Sequence, residues 1–494
     1  MEELNTAWKG VSKYFIYTVL TCYLISLHFG FYGWILYTPE VLIHFFYNVS
    51  DPSQLPDASA QMFFMNIALD LFPLGALVGS LVSGYMADKF GRKGSMVVTN
   101  ILSIISVILF ACKTMMCPYE LTMCAHLLNG ICVGVNLCLI YVYLFEISPR
   151  PIRGGVLMLT NFFVRLGNVI AQIVTFLLIR GYKKGWYVLL FLTGIFPLTL
   201  IFLLSIIPES PRYLLIQKED EEKARKVLRM LKVSRDIEEE IEELRQENLS
   251  EKEEEKKDNR DFDKISSSSW ILFSVIFIMG GIQFVGFHKI YYHNFYVLRS
   301  TKMNYISIWF LKTAISLLLC FVALLVTYLV DYLGRRILFL TGLAICTVSL
   351  VLMVVGLELL ENQVNDLVSH FCVALLVVFT AAYTLGPGII AMIIAMELFF
   401  QSTRASSIAI VGFAYCLVNI FLTLIEDTLK KKLGSYSLLT FTPVCLAVFI
   451  YFYKYIPETK NQTLPDIRKM LMTQKSKKVQ VKADKARKKH SIIF

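Results

Sequence analysis

Apolar segments of about 20 residues recur along the whole chain, and they limit its fold more than any other feature. A helix of that length crosses the roughly 30 Å hydrocarbon core of a lipid bilayer. Of the 494 residues, 56% are hydrophobic and 17% are charged, whereas soluble proteins carry about 25% charged residues. The sequence therefore predicts an all-α polytopic membrane protein. Twelve spans are expected, at residues 14–36, 62–86, 94–113, 120–145, 154–179, 186–207, 270–293, 305–330, 337–357, 368–394, 405–425 and 436–456.

The distribution of Lys and Arg predicts the orientation of these spans. Basic residues follow the second, fourth and eighth spans and occur in the polar mid-chain stretch and the tail, whereas residues 38–61 contain none. The positive-inside rule then places both termini in the cytosol, although Lys183–Lys184 and Lys430–Lys432 fall on the opposite side. Asn48 begins an Asn-Val-Ser sequon in the outward loop and is a predicted glycosylation site.

A polar stretch at residues 217–264 divides the predicted spans into six and six. Apolar residues recur there at helical spacing, first at Val227, Leu228 and Leu231 and again from Ile237, which predicts amphipathic linker helices. The run Glu251–Lys257 (EKEEEKK) is expected to be solvated and mobile. The predicted domains are a cytosolic N-terminus (1–13), an N-terminal six-helix half (14–207), cytosolic linker helices (208–269), a C-terminal six-helix half (270–456) and a basic cytosolic tail (457–494).

Three motifs occur twice, once on each side of the polar stretch. DKFGRK at Asp88–Lys93 matches DYLGRR at Asp331–Arg336, and a Glu precedes an Arg by seven residues at Glu146 and again at Glu397. PESPR, which follows the sixth span, matches PETK, which follows the twelfth. The paired motifs lie 243, 251 and 249 residues apart, in the same order. The sequence therefore predicts an internal repeat of six helices.

The charged side chains of these motifs lie at the predicted cytosolic ends of the spans. Repeated halves of this kind are typical of transporters in which one half rocks against the other. The charges are expected to pair across the halves when the cytosolic side is closed and to separate when it opens; alternatively, they only anchor loops at the interface. The residues of this predicted cytosolic latch are Asp88, Arg92, Glu146, Arg153, Glu209, Arg212, Asp331, Arg335, Glu397, Arg404 and Glu458.

Longer motifs make the chain similar to a known family. They are YLFEISPRPIR at Tyr143–Arg153, PESPRYLL from Pro208, GPG at Gly386–Gly388 and MELFFQSTR at Met396–Arg404. Over nearly the whole chain they resemble the facilitative glucose transporters, in the sugar porter branch of the major facilitator superfamily. ESPRYLLIQKEDE, QSTR and GSYS look most like the fructose-transporting branch. The resemblance implies two six-helix halves that give alternating access, a plasma-membrane location and a glycosylated first outer loop.

The same resemblance implies a substrate site centred on the seventh span. The family pattern QQLSGxNxxYY reads IQFVGFHKIYY here, so Gln283, Tyr291 and Tyr292 persist while His288 replaces an asparagine. Amide side chains both donate and accept hydrogen bonds, as the hydroxyls of a hexose do, and the two tyrosines would gate the outer side. The implied substrate-binding residues are Asn161, Gln283, His288, Tyr291, Tyr292 and Asn419, with Phe29, Arg165, Tyr383 and Tyr415 as further candidates.

Other positions depart from the family pattern. Leu319 stands where the family has an asparagine, Met392 where glucose-preferring members have a tryptophan, and His126 where an arginine is usual. Asn161 replaces a glutamine and is one carbon shorter. Two lost hydrogen bonds at about 1 kcal/mol each would weaken binding roughly 30-fold. Ordinary hexose affinity therefore does not follow from the resemblance.

Ionisable residues inside a span are candidates for a functional site. Arg165 follows Asn161 by four residues, so both occupy one helical face and Arg165 should point toward the pathway. Two alternatives stay open: Arg165 forms an internal ion pair with Asp70, or Arg165 and His288 make the cavity electropositive and suited to an anion. The ionisable residues singled out within spans are Asp70, Arg165, Lys289 and Lys312.

Sequence and resemblance together predict a facilitative hexose uniporter that works by alternating access and prefers fructose to glucose. The first and tenth spans carry no carboxylate, so coupling to an ion is not expected. The alternatives are a carrier of a small organic anion such as urate, and a sugar sensor that has lost transport.

The sequence predicts neither an enzyme nor a cofactor-dependent protein. It contains no nucleophile–base set, metal-ligand cluster or phosphate-binding loop, so no cofactor, metal or nucleic-acid partner is expected. The eleven cysteines include no CxxC pair and are expected to be free thiols. The expected partners are a small-molecule substrate and the lipid bilayer, and the oligomeric state is left open.

Overall fold

Helices dominate the part of the protein that a computed structural model describes, which comprises residues 10–36, 58–112, 118–181, 185–232, 237–260, 267–286, 305–362, 366–460, 462, 466–467 and 470. The only β-pairing in that part is an isolated bridge between Val11 and Lys232. The predicted all-α architecture is confirmed. The α-helices are α1 (Lys13–Leu36), α2 (Ala58–Cys112), α3 (Pro118–Ile147), α4 (Arg153–Gly181), α5 (Gly185–Ile206), α6 (Glu221–Leu231), α7 (Ile237–Arg260), α8 (Ser267–Gln283), α9 (Tyr305–Leu333), α10 (Arg335–Asn362), α11 (Asp366–Leu385), α12 (Pro387–Leu398), α13 (Arg404–Leu433) and α14 (Thr442–Tyr455).

The apolar pattern predicted these helices well, with some differences at their ends. Nine helical stretches within the described ranges are long and apolar enough to cross a membrane, and Phe191–Ile206 and Ser269–Gln283 are shorter apolar helices. The spans predicted at 62–86 and 94–113 both lie in α2, which is interrupted at Gly91. The last predicted span, 436–456, begins with a 3-10 helix at Gly434–Phe441 before α14.

The helix expected at 270–293 ends early, inside the predicted span. α8 ends at Gln283. The amide of Gly286 then donates a 3.0 Å hydrogen bond to the Gln283 carbonyl, which closes a turn. Gly286 has φ +75°, a conformation that only glycine adopts without strain. Irregular backbone at membrane depth is tolerated where it borders a cavity or is covered by protein. The chain therefore leaves the helical path directly after one of the predicted site residues.

The two sets of helices pack against each other through specific pairs. We call α1–α5 the N-terminal helices and α8–α14 the C-terminal helices. Across the interface, α4 packs against α9 and α2 packs against α13. Large apolar side chains such as Leu139 and Phe379 are buried inside, whereas Phe191 and Phe202 are 71% and 67% exposed on the outside. Exposed aromatic residues in such numbers suit a surface that faces lipid.

A glycine turn with a carboxylate cap occurs once in each set of helices. Gly91 and Gly334 have φ values of +79° and +92°. The two amides that follow Gly91 donate to Glu209 at 3.0 and 3.2 Å, and the two that follow Gly334 donate to Glu458 at 2.9 and 3.0 Å. A carboxylate at a helix N-terminus stabilises the exposed amides and the helix dipole. The repeated sequence motifs thus form the same local structure twice.

The polar stretch between the two sets contains the predicted linker helices α6 and α7. Val227, Leu228 and Leu231 are buried on one face of α6, and Ile241 and Leu244 on one face of α7, as the spacing predicted. Residues 251–257, expected to be solvated and mobile, lie inside α7. Glu and Lys both favour helices, so a run of charge does not by itself end one.

Close packing of α1 on α4 depends on Gly30. A Cβ atom at Gly30 would lie 1.9 Å from the carbonyl oxygen of Val164, whereas a Cβ at Gly33 would meet nothing within 4 Å. Small residues at helix crossings in membranes allow such backbone contact. We expect Gly30→Ala to destabilise the protein by about 1–3 kcal/mol through overpacking, measured as thermal stability in detergent.

Gly33→Ala is the matched control, since it makes the same change one helical turn away in open space. It should be neutral or slightly stabilising, because alanine favours the helix over glycine. Equal melting behaviour of the two variants would show that α1 and α4 are not in backbone contact.

Candidate functional site

A group of polar and aromatic side chains lies where the N-terminal and C-terminal helices face each other. We call it the central cluster, and its members are Arg165 (α4), Gln283 (α8), Cys320 (α9), Tyr383 (α11) and Tyr415 (α13). Arg165 is close enough to the other members on α9, α11 and α13 to interact with them electrostatically. The Tyr415 hydroxyl is a neighbour of the Gln283 side chain. Five helices thus bring their polar groups to one place.

Gln283 combines burial with an available hydrogen-bond donor. Its residue is 5% exposed, and its Nε2 atom has no hydrogen-bond partner among the described residues. A buried donor without a partner costs about 1–3 kcal/mol. A ligand hydroxyl that accepts from Nε2 would remove this cost. The side chain is therefore suited to hold a polar ligand beside Tyr415.

The remaining predicted site residues are distributed around this cluster. Asn161 lies one turn before Arg165 on α4, and both are 7% exposed, as expected for one inward face. Asn419 is half-buried one turn after Tyr415 on α13, and Phe29 is half-buried on α1. The predicted residues that lie outside the described ranges are Asn48, His288, Lys289, Tyr291 and Tyr292.

Arg165 and Asp70 differ in their surroundings. Arg165 is buried between the two sets of helices, whereas Asp70 is exposed on α2.

Several positions near the centre have little hydrogen-bonding capacity left for a ligand. Leu319 is fully buried and Met392 is 6% exposed, so both offer apolar contact. The Thr384 hydroxyl donates to the carbonyl oxygen of Thr380 at 2.9 Å. Recognition of a polar ligand consequently depends on fewer groups than the family pattern would supply.

Charged residues of the predicted latch form a second site at the ends of the N-terminal helices. Arg92 and Glu146 make a 2.9 Å ion pair in which both side chains are 0% exposed. Arg92 also donates to Gln217 at 2.8 Å and to the Ala87 carbonyl at 3.3 Å. Its guanidinium lies 4.6 Å from the centre of the Tyr213 ring. The buried charge is thereby neutralised and hydrogen-bonded on several sides.

The C-terminal helices carry an equivalent arrangement. Arg335 pairs with Asp331 at 3.3 Å and with Glu397 at 3.1 Å. It donates to the carbonyl of Val330, five residues earlier, just as Arg92 donates to Ala87. The predicted internal repeat therefore extends to the hydrogen bonds of these two buried arginines.

Contacts between the two sets of helices use hydrogen bonds and aromatic stacking. Gln401 donates from Nε2 to Glu146 at 2.8 Å and also accepts from Arg404. The Gly155 amide donates to Asp331 at 2.7 Å. The guanidinium of Arg404 lies 4.5 Å from the ring centre of Phe145.

For Arg92 and Arg335, this pattern differs from the expectation that the latch charges pair across the interface. The ion pairs of Arg92 and of Arg335 each stay within one set of helices. Separating a buried ion pair leaves charges uncompensated at a cost of about 3–5 kcal/mol, whereas a single hydrogen bond to a charged group contributes about 1.5 kcal/mol. An interface that opens through hydrogen bonds can open repeatedly while each buried charge keeps its partner.

Other predicted latch residues lie around these two networks. Arg153 donates to the Ser148 carbonyl at 3.3 Å and lies 4.2 Å from the Phe145 ring centre. Asp88 accepts from Ser406 of α13 at 3.4 Å. Arg212 is 7% exposed. Burial raises the pKa of the Glu209 carboxyl, and the backbone amides of the residues it caps oppose that shift.

Sequence reasoning did not single out Gln401 or Phe145. Gln401 connects Glu146 with Arg404, and Phe145 lies under two arginines. Both stand inside the quoted motifs, directly before Glu146 and within QSTR. The available signal was their adjacency to charged residues, because a buried charge needs amide and aromatic neighbours.

Removing the Gln401 contact should loosen the interface at this end. Cys138 of α3 is 1% exposed, and its Sγ lies 3.8 Å from the Ile408 carbonyl of α13. A thiol reagent can reach it only when these helices separate. With every other cysteine replaced, Gln401→Leu should raise the labelling rate of Cys138 about 10-fold, since a hydrogen bond to a charged group contributes about 1.5 kcal/mol.

The same substitution at Gln172 is the matched control. Gln172 of α4 donates to Ser316 of α9 at 2.8 Å, so it also joins the two sets of helices. It lies nearer the opposite end of α4, where Phe176 stacks on Trp309 at 4.1 Å. Gln172→Leu should leave Cys138 labelling unchanged or slower. A rise of equal size in both variants would mean general loosening and would contradict a role specific to Gln401.

Comparison with known proteins places this architecture among transporters. Residues 14–471 match the family described as sugar (and other) transporter. The human protein named solute carrier family 2, facilitated glucose transporter member 5 is 30% identical over 459 residues, which are 92% of this chain and 91% of the human protein. Human member 7 of the same group is 31% identical over 448 residues, covering 90% of this chain and 87% of the relative.

Solved structures show the same fold at lower identity. The proton:xylose symporter XylE bound to 6-bromo-6-deoxy-D-glucose superposes with a TM-score of 0.79 at 20% identity, covering 93% of this chain and 99% of the symporter. The inward-open conformation of XylE from E. coli gives a TM-score of 0.66 at 20% identity, covering 92% and 98%. The helices described above therefore adopt the fold of the major facilitator superfamily.

Proposed function

This chain belongs to the sugar transporter family, and on that premise we propose that it is a facilitative transporter that carries a hexose across the plasma membrane. Family membership also agrees with the expectation that the chain is not an enzyme. The proposed substrate is fructose in preference to glucose, supported by the resemblance of ESPRYLLIQKEDE, QSTR and GSYS to the fructose-transporting branch.

The observation that carries this proposal is the buried amide of Gln283. It lies between two sets of helices near the Tyr415 hydroxyl, and its Nε2 donor is available to a ligand. Sugar hydroxyls both donate and accept hydrogen bonds, and an amide matches both functions. Asn161 and Asn419 supply two further amides, and we assign His288, Tyr291 and Tyr292 to the same site on the sequence resemblance.

The proposed topology has twelve spans in two six-helix halves, residues 14–207 and 270–456. The linker with α6 and α7 and both termini lie in the cytosol, and Asn48 carries a glycan in the first outer loop. This topology places the networks of Arg92 and Arg335 at the cytosolic ends of their helices. Cross-interface hydrogen bonds there close the cytosolic side in the conformation described above.

Transport in this proposal runs down the substrate gradient. α1, α11 and α12 contain no Asp or Glu within the predicted spans 14–36 and 368–394 that could carry a proton. Alternating access then consists of breaking the Gln401, Gly155 and Ser406 contacts on one side while the substrate remains held. The buried ion pairs keep each half rigid during this motion.

The test is uptake by the purified full-length protein in liposomes. Labelled fructose, glucose and urate are compared under equal gradients, with Gln283→Ala as the site variant. Saturable fructose uptake that the variant loses is the expected result. Urate uptake without fructose uptake would replace the hexose by an organic anion, and binding without uptake would indicate a sugar sensor.

A further inference from the structure

Aromatic rings connect α1, α2 and α3 in the interior of the N-terminal helices. The Tyr32 ring of α1 lies 6.4 Å from the Phe110 ring of α2, and Phe110 lies 5.0 Å from the His126 ring of α3, edge to face. One turn before Phe110, the Ser106 hydroxyl donates to the carbonyl of Ala125, the residue before His126, at 2.9 Å. These contacts bring Tyr32 and His126 to opposite sides of one ring.

Four polar atoms in this interior have no hydrogen-bond partner among the described residues. They are the Tyr32 hydroxyl, both ring nitrogens of His126, and Oδ1 of Asn129, which lies one turn after His126 on α3. The three residues are 2%, 0% and 1% exposed, and we call them the inner polar cluster. Asn129 is a neighbour of the Tyr32 hydroxyl without forming a hydrogen bond with it.

The chemistry of these atoms indicates what they can bind. Buried polar groups are nearly always hydrogen-bonded, so atoms without protein partners point to a bound molecule. A neutral imidazole carries one donor and one acceptor, a hydroxyl carries both functions, and an amide oxygen accepts. A metal ion would use only the acceptors and an anion only the donors, whereas water uses both.

We propose that Tyr32, His126 and Asn129 form a binding site for a small cluster of ordered water molecules between α1 and α3. A buried water makes about three hydrogen bonds to otherwise unsatisfied polar groups, and the inner polar cluster supplies enough atoms for that. The rings of Phe72 and Phe110 each lie 6.4 Å from the Tyr32 ring, and such close aromatic walls favour water over a larger polar ligand.

This water gives α1 and α3 a hydrogen-bonded connection that the side chains of the inner polar cluster do not make with each other. A bridging water is nearly as favourable in enthalpy as a direct hydrogen bond. The connection lies inside the N-terminal helices, so it stabilises that set as one unit. It does not depend on which substrate the protein carries.

Radiolytic labelling of the full-length protein in detergent tests the site directly. A brief X-ray pulse converts bound water into hydroxyl radicals that oxidise adjacent side chains, and mass spectrometry locates the oxidised residues. Tyr143 is the matched control in the same molecule, because it is 0% exposed but its hydroxyl donates to the Pro208 carbonyl at 2.6 Å. We expect Tyr32 and His126 to be labelled several-fold faster than Tyr143.

Tyr32→Phe tests the same site through stability, since it removes only the hydroxyl and adds no volume. A hydroxyl that binds water contributes a hydrogen bond, so the variant should melt about 2 °C lower. A hydroxyl without any partner would be costly, and its removal would raise the melting temperature. Tyr453→Phe makes the same change at a residue that is 60% exposed and should leave the melting temperature unchanged.

Two results would each overturn the inference. One is labelling of Tyr32 and His126 that is as slow as that of Tyr143. The other is a Tyr32→Phe variant that is as stable as the wild type or more stable. Labelling of the wild type decides the question even if the variant does not fold, and neither readout depends on transport, so the proposed function is tested separately.

Discussion

Replacing Glu146 by leucine is expected to lower the free energy of unfolding by about 3–5 kcal/mol, because it leaves the charge of Arg92 buried without its carboxylate. Both side chains of this pair are 0% exposed, and their 2.9 Å contact lies inside the bundle. Leucine has a similar volume, so the loss would come from electrostatics and not from a cavity. Thermal denaturation in detergent, followed by intrinsic fluorescence, measures the effect.

A double variant distinguishes the lost charge pair from lost packing. Arg92→Met together with Glu146→Leu removes both charges, and apolar replacements of buried ion pairs are often neutral or stabilising. The double variant should therefore be more stable than Glu146→Leu alone, although Gln217 and Gln401 lose a partner each. A double variant less stable than the single one would contradict an ion pair as the source of the effect.

Substitution of Gln283 by leucine should reduce kcat/KM for the transported hexose by about 30- to 100-fold. Two hydrogen bonds at about 1 kcal/mol each are lost, and a substrate hydroxyl is left in an apolar site. Gln283→Asn keeps both functional groups on a shorter side chain and should retain part of the activity. Initial uptake rates into liposomes, normalised to the amount of reconstituted protein, give the comparison.

Monodeoxy analogues of the hexose make this prediction specific. In the wild type, removing the hydroxyl that Gln283 holds should cost transport efficiency. In Gln283→Leu the same analogue should be transported as well as the parent sugar, because the interaction is already absent. If every deoxy analogue loses the same factor in both proteins, Gln283 does not bind a hydroxyl.

Local features of the fold could be predicted because interactions between residues close in sequence determine them. Apolar runs of span length predicted the helices, and the apolar faces of α6 and α7 followed from spacing such as Val227 to Leu231. The paired motifs predicted the repeat that the turns at Gly91 and Gly334 display. All ten cysteines in the described part are free thiols, as expected from a sequence without a CxxC pair.

Contacts between distant segments were less predictable. The charges at Arg92 and Arg335 were expected to pair across the interface, yet their carboxylates belong to the same set of helices. Sequence motifs show which charged residues lie at a helix end. They do not show which carboxylate lies nearest to each arginine in the folded protein. The helix break at Gly286 escaped prediction for a related reason, since apolar content alone does not show where a backbone turns.

The sequence predicted which residues belong to the candidate site better than it predicted the contacts between them. Helical spacing placed Arg165 on the face of Asn161, and both are buried as expected. The sequence left Arg165 with a choice between Asp70 and the pathway, because residues 95 positions apart have no fixed relation before folding. In the structure, Arg165 is close enough to Tyr383 and Tyr415 to interact with them electrostatically.

Counterflow in proteoliposomes tests the central claim of facilitative hexose transport most directly. Vesicles are loaded with unlabelled fructose and diluted into a trace of labelled fructose, without any ion gradient. An alternating-access uniporter should accumulate label transiently above its equilibrium level, with no effect of a proton ionophore. Label that rises only to equilibrium at the rate of protein-free vesicles, with folded protein present, would contradict the account.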